Sequence, residues 1–297
     1  MQNSMRPTEP SRPFGVVCHD AGGARQIAAI LLRWSWQPAW VQARGPAVEI
    51  FHRDMPCVPV RSELSDLHGI RAIITGTGWA SDFEHEARRA ARKTGVRSIT
   101  VLDHWANYED RFIRNGERLL PDELWVVDEY AEGLAQQLFP GTQIVRVPDS
   151  YAERELRHIT PLSRFTPNRV LYLLEPIRSN WGRKEPGEFQ ALRYFLAKWP
   201  LLNLPAETEI WLRLHPSETP EKYSAFLDEN AQLFLRLSQG SLAEDISLAR
   251  WVVGCQTYAM TLALAAGRVV FSTLTPWAPQ KVLPHPGIQY LREMALA

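Results

Sequence analysis

Phe14-Gly-Val-Val-Cys18, followed by His19-Asp20-Ala21-Gly22-Gly23-Ala24 and then by Ile27, Ile30, Leu31 and Trp34, is the stretch on which the fold turns. A five-residue apolar run has the length of a buried strand, the glycine pair reads as a turn, and the apolar spacing after it is helical. The unit is therefore strand, glycine-rich turn, helix. Working outward, apolar runs at 39–43, 47–51, 72–75, 98–102 and 124–127 predict further strands, with helices in most of the gaps. The clearest of these helices, 82–94, opens with acidic residues and closes with Arg88, Arg89, Arg92 and Lys93 before Gly95, the order that a helix dipole favours. Short strands alternating with helices imply parallel βαβ units and a doubly wound sheet.

Pro148, Pro161 and Pro167 bracket a polar, charged stretch, after which the alternation restarts. Strands are expected at 169–174, 209–214, 231–235, 251–253 and 269–271, and helices at 186–198, 220–227, 242–249 and 258–266. The expected organisation is a disordered leader over 1–13, a Rossmann-like domain over 14–150, a linker over 151–168 and a second Rossmann-like domain over 169–287. A terminal helix over 288–297 is expected to pack back on the first domain. The fold class is α/β, with two doubly wound parallel-sheet domains facing a central cleft.

The 297 residues balance 33 Lys+Arg against 33 Asp+Glu, so no general positive field exists to hold a nucleic-acid backbone. Hydrophobic residues at 45% and charged residues at 22% place the chain among folded proteins. Cys18, Cys57 and Cys255 form no CxxC pair and no metal-spaced cluster, which argues against a disulfide framework or structural zinc. With no secretory signal and no 18-residue apolar run, a cytoplasmic location is expected. Trp34, Trp36 and Trp40 beside Arg33 and Arg44 have two readings: core packing, or peripheral contact with the inner face of a membrane. Oligomeric state is left open.

In open parallel sheets, ligands bind beyond the carboxyl ends of the strands, so the residues that follow each strand are the informative ones. After the first strand a His19-Asp20 dyad stands on Gly22 and Gly23, where backbone can approach a ligand and a helix start offers N–H groups to an anion. Later strand ends carry Gly76, Thr77, Gly78 and Trp79, then Asp103, His104, Trp105, Asn107, Tyr108 and Arg111, then Asp128. In the second half, His215-Pro216 fixes an imidazole where a strand runs out. Gly254, Gln256 and Thr257 open a helix with the makings of a phosphate grip. Glu175 and Arg178 end the first strand of that half. Plainer readings also stand: Gly76 and Gly78 as turn residues, Thr257 as an N-cap, His215 as an ordinary strand-end histidine. Ser241 to Glu244 fits a helix capping box, and Arg213 is expected to support a loop.

The acid-bearing Gly-rich first loop, "RLHPSE" and "SLAEDISLARWVVGCQTYAMTLALAAGRVVFS" together resemble the GT-B group of nucleotide-sugar enzymes over nearly the whole chain from Phe14. The closest pattern is that of bacterial surface-polysaccharide glycosyltransferases, with likeness to sialyltransferases, teichoic-acid polymerases and hydrolysing UDP-N-acetylglucosamine 2-epimerases. The resemblance implies a nucleotide-sugar donor (CMP-, UDP- or similar), a glycan or other hydroxyl acceptor, and no cofactor or metal, since no DxD motif is present. It places the catalytic base on Asp20 with His19. Nucleotide and phosphate contacts fall on Gly22, Gly23, Glu175, Arg178, His215, Pro216, Gly254, Gln256 and Thr257. Gln256 departs from the hydroxyl residue common there. The acceptor or sugar would meet Gly76, Thr77, Asp103, His104, Trp105, Asn107 and Tyr108, with Trp79 or Trp105 stacking on a sugar face. A nucleotide-sugar hydrolase or 2-epimerase, or a non-catalytic nucleotide- or carbohydrate-binding protein, would use the same framework.

Overall fold

A computed structural model describes residues 6–64, 67–78, 81–177, 179–233 and 235–294. The chain divides into two compact units, up to Arg154 and from Glu155 onward.

In the first unit, β1 (Phe14–Cys18) is buried at every residue, as its unbroken apolar run requires of a central parallel strand. Gly15 permits this packing, because a Cβ there would collide with the Trp40 indole. Helix α1 (Ala21–Trp34) follows, burying Ile27, Ile30 and Leu31, and ends at Ser35 in the left-handed conformation. Next come β2 (Trp40–Ala43), α2 (Ala47–Asp54), β3 (Val60–Arg61), β4 (Ala72–Thr75), α3 (Phe83–Thr94) and β5 (Arg97–Val101). Then follow a hairpin of β6 (Ile113–Arg114) and β7 (Glu117–Arg118), β8 (Glu123–Val126), α4 (Glu129–Leu138), β9 (Gln143–Arg146) and α5 (Ser150–Leu156). The sheet order is β3-β2-β1-β4-β5-β8-β9, parallel throughout, with its order reversing between β1 and β4.

The second unit repeats this plan. It comprises β10 (Arg169–Leu173), α6 (Gly187–Lys198), β11 (Glu209–Arg213), α7 (Ser224–Glu229), β12 (Arg236–Leu237) and α8 (Leu242–Ser247). The remainder is β13 (Trp251–Gly254), α9 (Tyr258–Ala265), β14 (Val269–Ser272) and β15 (Ile288–Tyr290). Its order is β12-β11-β10-β13-β14-β15, again parallel, with the reversal between β10 and β13. Val170, Tyr172, Phe195, Leu212, Phe226 and Phe271 lie in one core cluster.

Several expectations are corrected. Residues 47–51 are helical, because Ala47, Ile50 and Phe51 are the buried positions and their spacing is i, i+3, i+4. The expected terminal helix begins instead as strand β15, whose buried, exposed, buried alternation has a period of two, and Leu291 just after it joins the second unit's core. Residues 231–233 form a 3₁₀ turn, and the strand comes after them at 236–237. The stretch expected as a linker from 151 starts inside helix α5. From residue 6 the leader is packed: Pro7 and Pro10 are buried, and the Arg6 guanidinium lies 5.1 Å from the Trp34 ring and 5.9 Å from that of Trp36. Trp36 and Trp40 are buried, with Trp36 tilted against Trp125 at 6.1 Å, so this cluster is engaged in packing. Among the described residues no helix is long and apolar enough to cross a membrane.

Candidate functional site

The reversal between β1 and β4 brings the turns after these strands side by side, and Gly23 and Gly76 permit the approach. A Cβ on Gly23 would stand 3.2 Å from Gly76 Cα. Asp20 holds the N-cap position of α1, where an aspartate ordinarily accepts a hydrogen bond from the second or third helical N–H. Its side chain makes no such bond. Asp128 and Ser241, in the same position on α4 and α8, both do, and Ser241 with Glu244 completes the expected capping box. Asp20 Oδ1 instead lies 3.2 Å from His19 Nδ1, and the two side chains stay 27% and 22% exposed. The Asp20 carboxylate rests against Gly78, where a Cβ would stand 2.9 Å from Cγ. The His19 ring rests against Gly45, whose φ of +53° also favours glycine.

Beneath this dyad lies a carboxyl that sequence reading missed. Glu84, on the first turn of α3 and 1% exposed, accepts the His19 N–H through Oε1 at 2.7 Å. Burial pushes its carboxyl above the usual range, and burial lowers nearby Arg88 to about 10. The α3 charges read as dipole order include this inward pair, spaced i, i+4 on the face that also buries Ala87 and Ala91. That shared face was the available signal.

Asp103 stands two residues past β5, its Oδ2 so close to Gly22 that no Cβ fits there. Its Oδ1 accepts from Arg111 Nη1 at 2.8 Å, and the same nitrogen donates to Thr77 Oγ1 at 2.8 Å. Two further arginines hold the adjoining carbonyls: Arg114 Nη2 donates to Gly78 O at 2.7 Å, and Arg88 Nη1 to Gly76 O at 3.5 Å. The 76–78 turn is thus fastened at each residue by a guanidinium.

Trp105 and Tyr108, expected to meet acceptor or sugar, are turned inward. Trp105 is 5% exposed and donates its indole N–H to Asp128 Oδ2 at 2.9 Å, while Tyr108 stacks on Phe139 at 6.2 Å. Burial raises the Tyr108 phenol. Asn107 is an exposed turn residue at φ +56°, and the half-buried His104 ring lies 5.6 Å from Trp105. Trp79 and Arg178 lie outside the described residues.

In the second unit the reversal between β10 and β13 brings Glu175 to the start of α9. Glu175 Oε1 accepts the backbone N–H groups of Cys255, Gln256 and Thr257 at 2.7, 2.9 and 3.1 Å. This corrects the expected phosphate grip, because the N–H cradle is already filled by the chain's own carboxylate. Gly254 belongs to this packing: a Cβ there would stand 3.2 Å from the same oxygen. Thr257 is the N-cap residue of α9, but its hydroxyl makes no cap bond. Burial raises Glu175 to about 7, against the opposing pull of the three N–H groups.

His215 follows β11, next to β10 in the sheet. Its Nδ1 accepts the Ser217 N–H at 3.2 Å. Pro216 is exposed at the bend. Glu218 pairs with Lys222, which also reaches Glu188 at 2.6 Å and so ties this loop to α6. Arg213 donates to Gly240 O at 2.6 Å and pairs with Asp245, a loop support. Among the described residues no group of three or more His, Cys, Asp or Glu is placed to hold a metal ion.

No protein-family model matches the chain, and no curated protein matches it. Solved structures do. The Staphylococcus aureus MnaA structure with UDP is 10% identical over 89% of this chain and 79% of its own, with a TM-score of 0.62. UDP-GlcNAc 2-epimerases from Rickettsia bellii (10% identical, 87% and 78% covered, TM-score 0.58) and Methanocaldococcus jannaschii (12%, 87% and 83%, 0.55) are also similar. These structures lend no support to the sialyltransferase-like reading of His215-Pro216. What the chain shares with them is the fold: two Rossmann-like, doubly wound parallel-sheet units of the GT-B kind.

Proposed function

We propose that the chain is a metal-independent glycosyltransferase that moves a sugar from a nucleotide-sugar donor to a hydroxyl acceptor. The observation that carries this reading is Asp20: an aspartate at an N-cap that leaves the cap unmade and turns to a histidine, half-open, where the first sheet reverses. A carboxylate so placed serves as a general base. It takes the acceptor's proton as the acceptor oxygen bonds to the anomeric carbon; the bond from that carbon to the phosphate oxygen breaks, and its electron pair leaves with the nucleotide. His19 orients the base. Asp103, engaged by Arg111, shapes the acceptor side, and the buried Thr77 holds Arg111 in place. On the second unit, His215 donates to the leaving phosphate, with the side chains of Gln256 and Thr257 beside it.

A second reading, hydrolysis or 2-epimerisation of the nucleotide sugar itself, is favoured by the similar structures, two of which are UDP-GlcNAc 2-epimerases. Product analysis of UDP- and CMP-sugars with and without a hydroxyl acceptor separates the two. Acceptor-dependent product supports transfer, and rapid turnover of donor alone supports the second reading. Asp20→Asn and His215→Ala are each expected to lower the transfer rate at least about a hundredfold; near wild-type rates in both would sink the assignment.

A further inference from the structure

We propose that Glu175 makes phosphate binding on the second unit proton-linked: with Oε1 fixed by three backbone N–H groups, its Oε2 carries a proton and donates it in a hydrogen bond to a phosphate oxygen of the nucleotide. The inference rests on the reading of this unit as the nucleotide site.

The first support is geometric. One oxygen accepts from Cys255, Gln256 and Thr257, so turning the carboxyl out would strand three N–H groups at about 1–3 kcal/mol each. The side chain therefore stays in place and offers its other oxygen. Oε2 takes no hydrogen bond from the described residues, and Glu175 as a whole is 8% exposed.

The second support is the charge around it. Tyr172 on β10 and Cys255 before α9 are buried, and burial keeps both proton affinities high. Glu188 on α6 is acidic, and Tyr223 before α7 is raised by burial. Lys222 is engaged by Glu188 and Glu218, and His215 lies in the loop after β11. No described lysine or arginine pairs with Glu175. A phosphate at this sheet reversal meets a bare carboxylate as a like charge, whereas a protonated carboxyl meets it as a donor. Burial has already raised the group to about 7, so the proton is available near neutral pH. Binding above that pH takes one proton from solvent and leaves Glu175 neutral.

Calorimetric titration of the full chain with UDP and with CMP, in buffers of different ionisation heat, tests this. The expected result is uptake approaching one proton per nucleotide above about pH 7, with affinity falling about tenfold per pH unit there. E175Q, which retains an acceptor for the N–H groups and a permanent donor, should bind without that uptake and with a flatter pH profile. E175A, checked for folding by circular dichroism, should bind more weakly. Titration of His215 and of the phosphate itself is common to wild type and E175Q, so their difference belongs to Glu175. Tighter binding by E175A would show that the carboxyl only blocks the cradle, and equal proton uptake by wild type and E175Q would overturn the proposal. If neither nucleotide binds wild type or E175Q at any pH, the nucleotide reading of this unit falls, and the proposal falls with it.

Discussion

Asp103 and Glu175 each stand two residues past a parallel strand, with the carboxyl against the start of a helix, and the two units hold them in opposite ways. Asp103 lies over Gly22 on the first turn of α1 and is matched by the Arg111 guanidinium. Glu175 lies against the turn before α9 and is matched by three backbone N–H groups and no described cation. A guanidinium supplies a full opposite charge to the first carboxylate. N–H groups supply partial charges, which here do not overcome the cost of burial. Similar positions thus yield a guanidinium ion pair in one unit and an acid raised by burial in the other.

The contrast is most sharply tested at Arg111. Arg111→Ala leaves Asp103 without its cation and removes the bonds to Thr77 Oγ1 and Ala106 O. A loss of about 3–5 kcal/mol is expected by urea denaturation, and an unchanged midpoint would break the comparison. At Glu175 the effect is one of pH. A carboxyl whose proton affinity is higher folded than unfolded stabilises the fold at low pH and loses that contribution as pH rises through its folded value. Between its ordinary 4.5 and about 7, Glu175 should therefore cost the wild type up to about 1.4 kcal/mol of stability per pH unit. Glu175→Gln should remove this slope in denaturation curves taken across that window, leaving whatever other raised carboxyls such as Glu84 contribute. Thr77→Val, which strands one guanidinium N–H, should cost about 1 kcal/mol, a smaller shift readable by thermal melting.

The fold was largely legible where apolar runs were unbroken. β1, β4 and β10 read directly as buried strands because parallel strands covered on both faces carry no polar alternation. The misreadings fell on short segments that fit two periods. Residues 47–51 satisfied a strand pattern as well as the helical spacing that won, and 288–290 carries a three-residue alternation hidden inside a helix-like stretch. The site was legible as a set of strand-end residues but not as a set of partners. Nothing in the local sequence says that Glu175 will fill the cradle 80 residues further on, because that pairing is made by the sheet crossover. Trp105 and Tyr108 looked available for the same reason: their partners, Asp128 and Phe139, come from the next strand end and the end of α4.

The three arginines on the 76–78 turn also bear on the entropy of recognition. Ordering a free loop residue costs roughly 1–2 kcal/mol of backbone entropy, and a ligand that must organise its own binding loop loses that much affinity at each position. Here Arg88, Arg111 and Arg114 have fixed the turn beforehand. Gly76, Thr77 and Gly78 are themselves buried, so the turn is a fixed floor against which the Asp20 carboxylate rests, and a molecule that reaches Asp20 meets a geometry already set.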